Sequence, residues 1–201
     1  MDKFQNKYRI PSARAEWWNY AGNGVYFITI CTAGREYYFG EIKNGVMILS
    51  EMGCIVQQEW DKSFEIRTEL FCDAFVIMPN HIHAILRIEN NDSNVVGTHG
   101  RASPHSRAYL QPPKPIPDPI QPPQSHGVAY RPPKSISSFV AGFKSVATKR
   151  INEFRKMPKS PVWQSRFYDR IIRNDAEYNR IRKYILDNPQ KWDKDKLFRN
   201  E

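Results

Sequence analysis

At 201 residues the chain is long enough for one domain with its own core and short for two, so residues 1–201 are expected to form a single domain. A net charge of +9 and a pI near 9.5 favour a polyanionic partner, and three cysteines without Cys-x-x-Cys spacing leave one unpaired in any disulfide scheme, so buried reduced thiols in a cytoplasmic protein are expected. No N-terminal apolar run resembles a signal peptide and no stretch approaches about 18 apolar residues, which argues against secretion and against a membrane partner.

Residues 1–23 are polar and basic with Tyr8, Trp17, Trp18 and Tyr20, and read as an irregular arm packed on the domain. Residues 24–32, GVYFITICT, are β-branched and aromatic enough for a central strand. Shorter strands follow at 37–42 and 46–49, and the Asn44-Gly45 pair between them signals a tight hairpin. Residues 50–64 read as a helix capped by Ser50, with Met52, Ile55, Val56 and Trp60 at helical spacing for burial against a sheet. Residues 69–78 and 81–88 then form a hairpin around Pro79-Asn80.

Residues 90–134 are different material. Of the 15 prolines, 10 fall between Pro104 and Pro133, where two similar phrases occur, HGRASPHSRAYLQPPKP and HGVAYRPPKS. Proline supplies no backbone N–H, so this stretch can build neither ladder nor helix and is expected to be a disordered insertion, with His99, His105 and His126 as solvated linker residues. Order resumes at residue 135. Ser137 or Ser138 can cap a helix to about residue 156, with Phe139, Phe143, Val146 and Ile151 inward and Lys144, Lys149, Arg150 and Arg155 outward. Residues 162–173 have strand character, and Asn174 with Glu177 opens a last helix that ends at Asn188, before Pro189.

The chemistry concentrates in two places. His81 and His83 flank Ile82 in a strand, where alternate side chains share a face, so the two imidazoles stand roughly 6 to 7 Å apart at the backbone and can converge on one metal ion. In the last helix Tyr178, Ile181 and Ile185 form the apolar stripe, whereas Tyr184 shares another face with Asn188 four residues on. Two imidazoles and an amide oxygen suit a divalent ion with open positions, Mg²⁺ or Mn²⁺. A tyrosine, with an ordinary pKa of about 10, is a weak nucleophile at neutral pH, and a phosphodiester repels its anion. A cation beside the reaction centre answers both handicaps.

The basic excess also has a location. From residue 141 onward there are 16 Lys and Arg against 8 Asp and Glu. Arg166, Arg170 and Arg173, with Lys144, Lys149 and Arg150 on the preceding helix, suit phosphates, and Trp163 and Phe167 offer rings for unstacked bases. These residues are the expected nucleic-acid contacts.

The phrases VIMPNHIHAILRI and VWQSRFYDRIIRNDAEYNRIRKYILDNPQKW closely resemble the HUH single-strand tyrosine transposases of bacterial insertion sequences, and most of all the REP-associated tyrosine transposases. The resemblance runs from Gly24 to Trp192 and is interrupted only by the Pro-rich insertion, which is atypical of the compact insertion-sequence enzymes. It implies an α+β, ferredoxin-like domain, an antiparallel sheet with helices packed on one face. It also implies His81, His83 and Asn188 as ligands of Mg²⁺ or Mn²⁺ and Tyr184 as the nucleophile. The substrate would be single-stranded DNA with hairpins, cleaved and rejoined through a 5′-phosphotyrosine that needs no nucleotide cofactor. Monomer and homodimer are both left open. The rival readings are a catalytically retired hairpin-DNA-binding protein and a metal-dependent hydrolase that uses water as the nucleophile.

Overall fold

A computed structural model describes residues 22–90 and 131–198, together with a short antiparallel pair, β1 (Lys3–Phe4) and β2 (Lys7–Tyr8). Apart from that pair, residues 1–21 of the arm expected over 1–23 lie outside the described residues, as do residues 91–130 of the Pro-rich insertion expected over 90–134.

The β-prone run becomes β3 (Gly24–Cys31), and both of its faces are used: Tyr26, Ile28 and Ile30 are fully buried on one, Val25 and Phe27 pack on the other. A hairpin follows, β4 (Gly40–Lys43) and β5 (Val46–Leu49), closed by Asn44 and Gly45 with φ of 52° and 74°. Two successive positive φ values are what a two-residue turn between right-twisted strands requires, and Asn-Gly supplies them with little strain.

Next comes α1 (Glu51–Ile66), whose cap is Ser50 as expected, its hydroxyl oxygen accepting from the Gly53 N–H at 3.1 Å. Strands β6 (Leu70–Met78) and β7 (His81–Ile88) pair around the two-residue Pro79-Asn80 turn. A bulge at Asp73 shifts the phase of β6, so Leu70 faces the main core before it while Phe75 and Ile77 do so after it. Helix α2 (Ile136–Phe154) is capped by Ser135, not by Ser137 or Ser138. Ser135 and Ser138 form a reciprocal box, each hydroxyl accepting from the other's backbone N–H at 3.1 Å, which places Ser138 inside the first turn. Within α2, Ala147 takes the inward position expected for Val146, which is left 46% exposed, because the fourth residue after Phe143 and not the third completes the turn toward the sheet.

Strand β8 (Tyr168–Ile172) is shorter than the 162–173 expected. Val162 and Trp163 are core residues, and Trp163 makes only an isolated bridge to Thr32. Helix α3 (Asp175–Asp187) starts at Asn174, whose side-chain oxygen accepts from the Glu177 N–H at 2.8 Å, and stops at Asn188.

The four long strands form one antiparallel sheet in the order β6-β7-β3-β8, with the chain running β3-α1-β6-β7-α2-β8. This is the expected α+β, ferredoxin-like arrangement. One detail needs correction: the helices do not all lie on one face. Helices α1 and α2 cover the face with Tyr26, Ile28, Ile82, Ala84 and Leu86, where Trp60 stacks on Phe75 with ring centres 4.2 Å apart. Helix α3 covers the opposite face, its Ile181 and Ile185 against Val25, Ala74, Ile85 and Ile172. Strand β3 is apolar on both sides, and its second face, with Val25 and Phe27, joins Ala74, Ile85 and Ile172 in an apolar patch that must also be covered. The cysteines also depart from expectation. All three are free, but Cys31 is partly exposed and Cys54 and Cys72 are exposed. No helix among the described residues is long and apolar enough to cross a membrane.

Candidate active site

The face under α3 receives His81 and His83, because Ile82 and Ala84 take the alternate positions toward α1 and α2. The two imidazole rings lie 4.4 Å apart and are buried. Each has a fixed partner on Nδ1: the side-chain oxygen of Asn80 at 2.8 Å for His81, and the hydroxyl of Thr29 at 2.8 Å for His83. Thr29 stands directly across from His83 in the β3–β7 register. Burial pushes the His83 pKa down to about 4, with the Asp195 carboxylate opposing the shift, and burial followed by repulsion from His83 and Arg35 holds His81 well below the ordinary histidine value. Both rings are therefore neutral near pH 7, the form that ligates a metal.

Helix α3 brings Tyr184 and Asn188 to the same place, as their shared helical face anticipates. The Tyr184 hydroxyl lies 3.1 Å from His83 Nε2 and donates to Asp195 Oδ2 at 3.0 Å. A phenol has one proton. Its donation to Asp195 leaves His83 Nε2–H as donor to the phenol oxygen, and the Thr29 hydroxyl then donates to Nδ1. Burial, then the charge and hydrogen bond of Asp195, raise the Tyr184 pKa, so the phenol is held protonated. Asn188 is buried and its amide donates to the same Asp195 Oδ2 at 2.8 Å. Tyr178 sits with the Ile181–Ile185 stripe, its hydroxyl 3.5 Å from Asp73 Oδ2, in line with its assignment to the apolar side.

Asp195 is the residue that sequence reasoning missed. After Asn188 the chain enters a 3-10 helix, Pro189–Lys194, that folds back along the site, brings Trp192 beside His81 with ring centres 5.9 Å apart, and delivers Asp195. The only local signal was Pro189, which ends the α-helix without saying where the chain goes next. Ligand atoms of His81, His83 and Asp195 lie within 4.8 Å of one another. Two further buried atoms there, His81 Nε2 and Asn188 Oδ1, have no hydrogen-bond partner among the described residues. Two imidazole nitrogens with a carboxylate and a spare amide oxygen suit a hard-to-borderline divalent ion, so the residues present fit Mg²⁺ or Mn²⁺.

The expected nucleic-acid contacts are not gathered in the same way. Arg170 faces the α3 side and pairs with Glu177 at 2.6 Å, Arg166 precedes β8, and Arg173 follows it, exposed, with its backbone N–H on Glu177. Lys144, Lys149 and Arg150 lie on α2, across the sheet from the histidines. The Lys144 ammonium caps the carbonyls of Gln164 and Ser165, Arg150 pairs with Glu59, and Lys149 is 76% exposed. Trp163 is buried in the main core and Phe167 packs against it, so both rings serve packing in this structure. Tyr168 is an exposed ring at the start of β8, directly across from Thr29.

No protein-family model matches the chain. An uncharacterized protein of Haemophilus influenzae (strain Rd) is 33% identical over 189 residues, 93% of this chain and 92% of that protein. Among solved structures, a REP-associated tyrosine transposase bound to a REP hairpin superposes with a TM-score of 0.53 at 18% identity, covering 89% of this chain and 74% of that one. The chain thus belongs to the family of the H. influenzae protein, and it is built on the fold of the HUH tyrosine transposases.

Proposed function

We propose that the protein is a divalent-metal-dependent single-stranded DNA transposase that cleaves and rejoins hairpin-containing DNA through a 5′-phosphotyrosine on Tyr184. The observation that carries this is the Tyr184 hydroxyl, 3.1 Å from His83 Nε2, at the edge of the cluster of His81, His83 and Asp195. His81, His83 and Asp195 would hold the ion, with the Asn188 amide oxygen as a further ligand. Bound there, Mg²⁺ or Mn²⁺ supplies positive charge that offsets the charge of the phosphodiester and favours the phenolate.

The chain's own groups account for the rest. The Tyr184 oxygen bonds to phosphorus, the bond from phosphorus to the 3′ oxygen breaks, and that oxygen leaves as a 3′-OH by taking a proton from solvent. The tyrosine proton passes toward Asp195 Oδ2, which already accepts it. A strand's 3′-OH reverses the step and restores the tyrosine, so the phosphodiester energy is conserved. The hairpin in the structurally similar transposase supports the choice of substrate, and exposed Arg166, just before β8, would contact phosphates. A hairpin-DNA binder without cleavage is the second reading, favoured by the same hydroxyl's bond to Asp195 and the raised Tyr184 pKa.

Covalency decides between them. Purified protein is incubated with labelled hairpin DNA carrying single-stranded tails from its genomic flanks, with Mn²⁺ or with chelator, and resolved on a denaturing gel. A metal-dependent adduct absent from Tyr184→Phe is expected. Binding with no adduct would overturn the transposase reading in favour of the binder, and cleavage without adduct would favour a hydrolase.

A further inference from the structure

We infer that Asn80 is a positioning residue that locks His81 in the tautomer with its proton on Nδ1, so that the bare Nε2 lone pair faces the site. The use of that lone pair for a metal rests on the function proposed above; the tautomer itself does not.

Asn80 is 1% exposed and occupies the second position of the turn between β6 and β7. Its backbone carbonyl accepts from the Thr32 N–H at 2.9 Å, which fixes the turn against the end of β3. Its side-chain NH₂ donates to two backbone carbonyls, Leu197 at 2.8 Å and Arg35 at 3.3 Å. Turning the amide over would set its oxygen against both of those carbonyl oxygens, so the amide has one orientation. The atom 2.8 Å from His81 Nδ1 is then the amide oxygen, which can only accept. Nδ1 must therefore carry hydrogen. A neutral imidazole has a single N–H, which leaves Nε2 bare, and Nε2 is the buried His81 atom without a partner among the described residues.

His83 contrasts with this. Its Nδ1 partner is the Thr29 hydroxyl, which can donate or accept, so His83 can change tautomer as its Nε2 contact changes. The pair thus combines one ligand with its proton already placed and one that adjusts. Outer groups of this kind orient ligating histidines in metal sites generally, and losing one weakens metal binding by about 10- to 100-fold.

The test uses the full-length, ¹⁵N-labelled protein without metal. Long-range ¹H–¹⁵N spectra of the imidazoles should show His81 as the Nδ1–H tautomer; a predominant Nε2–H tautomer would overturn the proposal. Two variants separate positioning from mere stability. Asn80→Asp keeps the acceptor and removes both donors, so it should melt earlier yet keep the His81 tautomer and bind Mn²⁺ well. Asn80→Leu removes the acceptor, and should lose the tautomer preference and bind Mn²⁺ about 10- to 100-fold more weakly. A folded Asn80→Leu with unchanged tautomer and Mn²⁺ affinity refutes the inference. Should Asn80→Leu not fold, the wild-type and Asn80→Asp spectra still decide. Wild-type protein that binds no Mn²⁺ would sink the metal reading alone, since the metal-free spectrum settles the tautomer independently.

Discussion

Acidifying the metal-free protein should destabilise it through His83 in a defined window. The His83 ring has a pKa of about 4 in the folded chain, against an ordinary 6.5, chiefly because burial penalises the imidazolium. Between those values the unfolded chain takes up a proton that the folded chain refuses, so stability rises with pH there, is fully present above 6.5, and is lost as pH falls toward 4. At pH 5 the unfolded histidine is almost fully charged while the folded one is mostly neutral. The difference amounts to about 2 kcal/mol lost relative to pH 7.5, and His81 shifts in the same direction. For a chain of this size that corresponds to roughly 4 to 8 °C in melting temperature. Thermal melts in chelator at pH 7.5 and pH 5, for wild type and His83→Gln, measure it. The neutral amide titrates nowhere in the range, so carboxylates and other groups cancel in the comparison, and His83→Gln should lose less stability on acidification by about 2 kcal/mol. Equal acid sensitivity in the two proteins would refute this, because it would show that the folded site admits a charged His83 in spite of its burial.

Gly53→Ala should destabilise the protein although alanine is the better helix former, because a Cβ there would lie 2.2 Å from the Phe39 carbonyl oxygen; a melting temperature at or above wild type would contradict this. Replacing residues 91–130 with a Gly/Ser linker should leave cooperative unfolding intact, given the proline content of that stretch, and a broad or absent transition would make the insertion structural.

Much of the site follows from local periodicity. Strand alternation puts His81 and His83 on one face whatever they pack against, and helical phase separates Tyr184 and Asn188 from Tyr178, Ile181 and Ile185. Asn44-Gly45 specifies its hairpin, and Ser50 and Asn174 specify their caps, because each acts within a few bonds of its own backbone. Where several residues can play one local part, periodicity is ambiguous: Ser135, Ser137 and Ser138 are all fit to cap α2, and three to four residues per turn do not separate Val146 from Ala147 for one inward place.

What periodicity could not supply depends on residues far apart in the chain. That α3 covers the second face of the sheet follows from the apolar patch of Val25, Phe27, Ala74, Ile85 and Ile172 there, which exists only once the four strands are paired. The Asp73 bulge reverses the phase of β6 midway, so no fixed alternation describes that strand. Asp195 reaches Tyr184 and Asn188 only after the chain folds back through Pro189–Lys194. Asn80 draws its partners from Arg35 and Leu197, 45 and 117 positions away. Repeating short-range geometry makes a residue's face readable from its neighbours, but a buried hydrogen bond is satisfied by whichser group the completed fold places beside it, and those groups were chosen by the packing of the whole sheet.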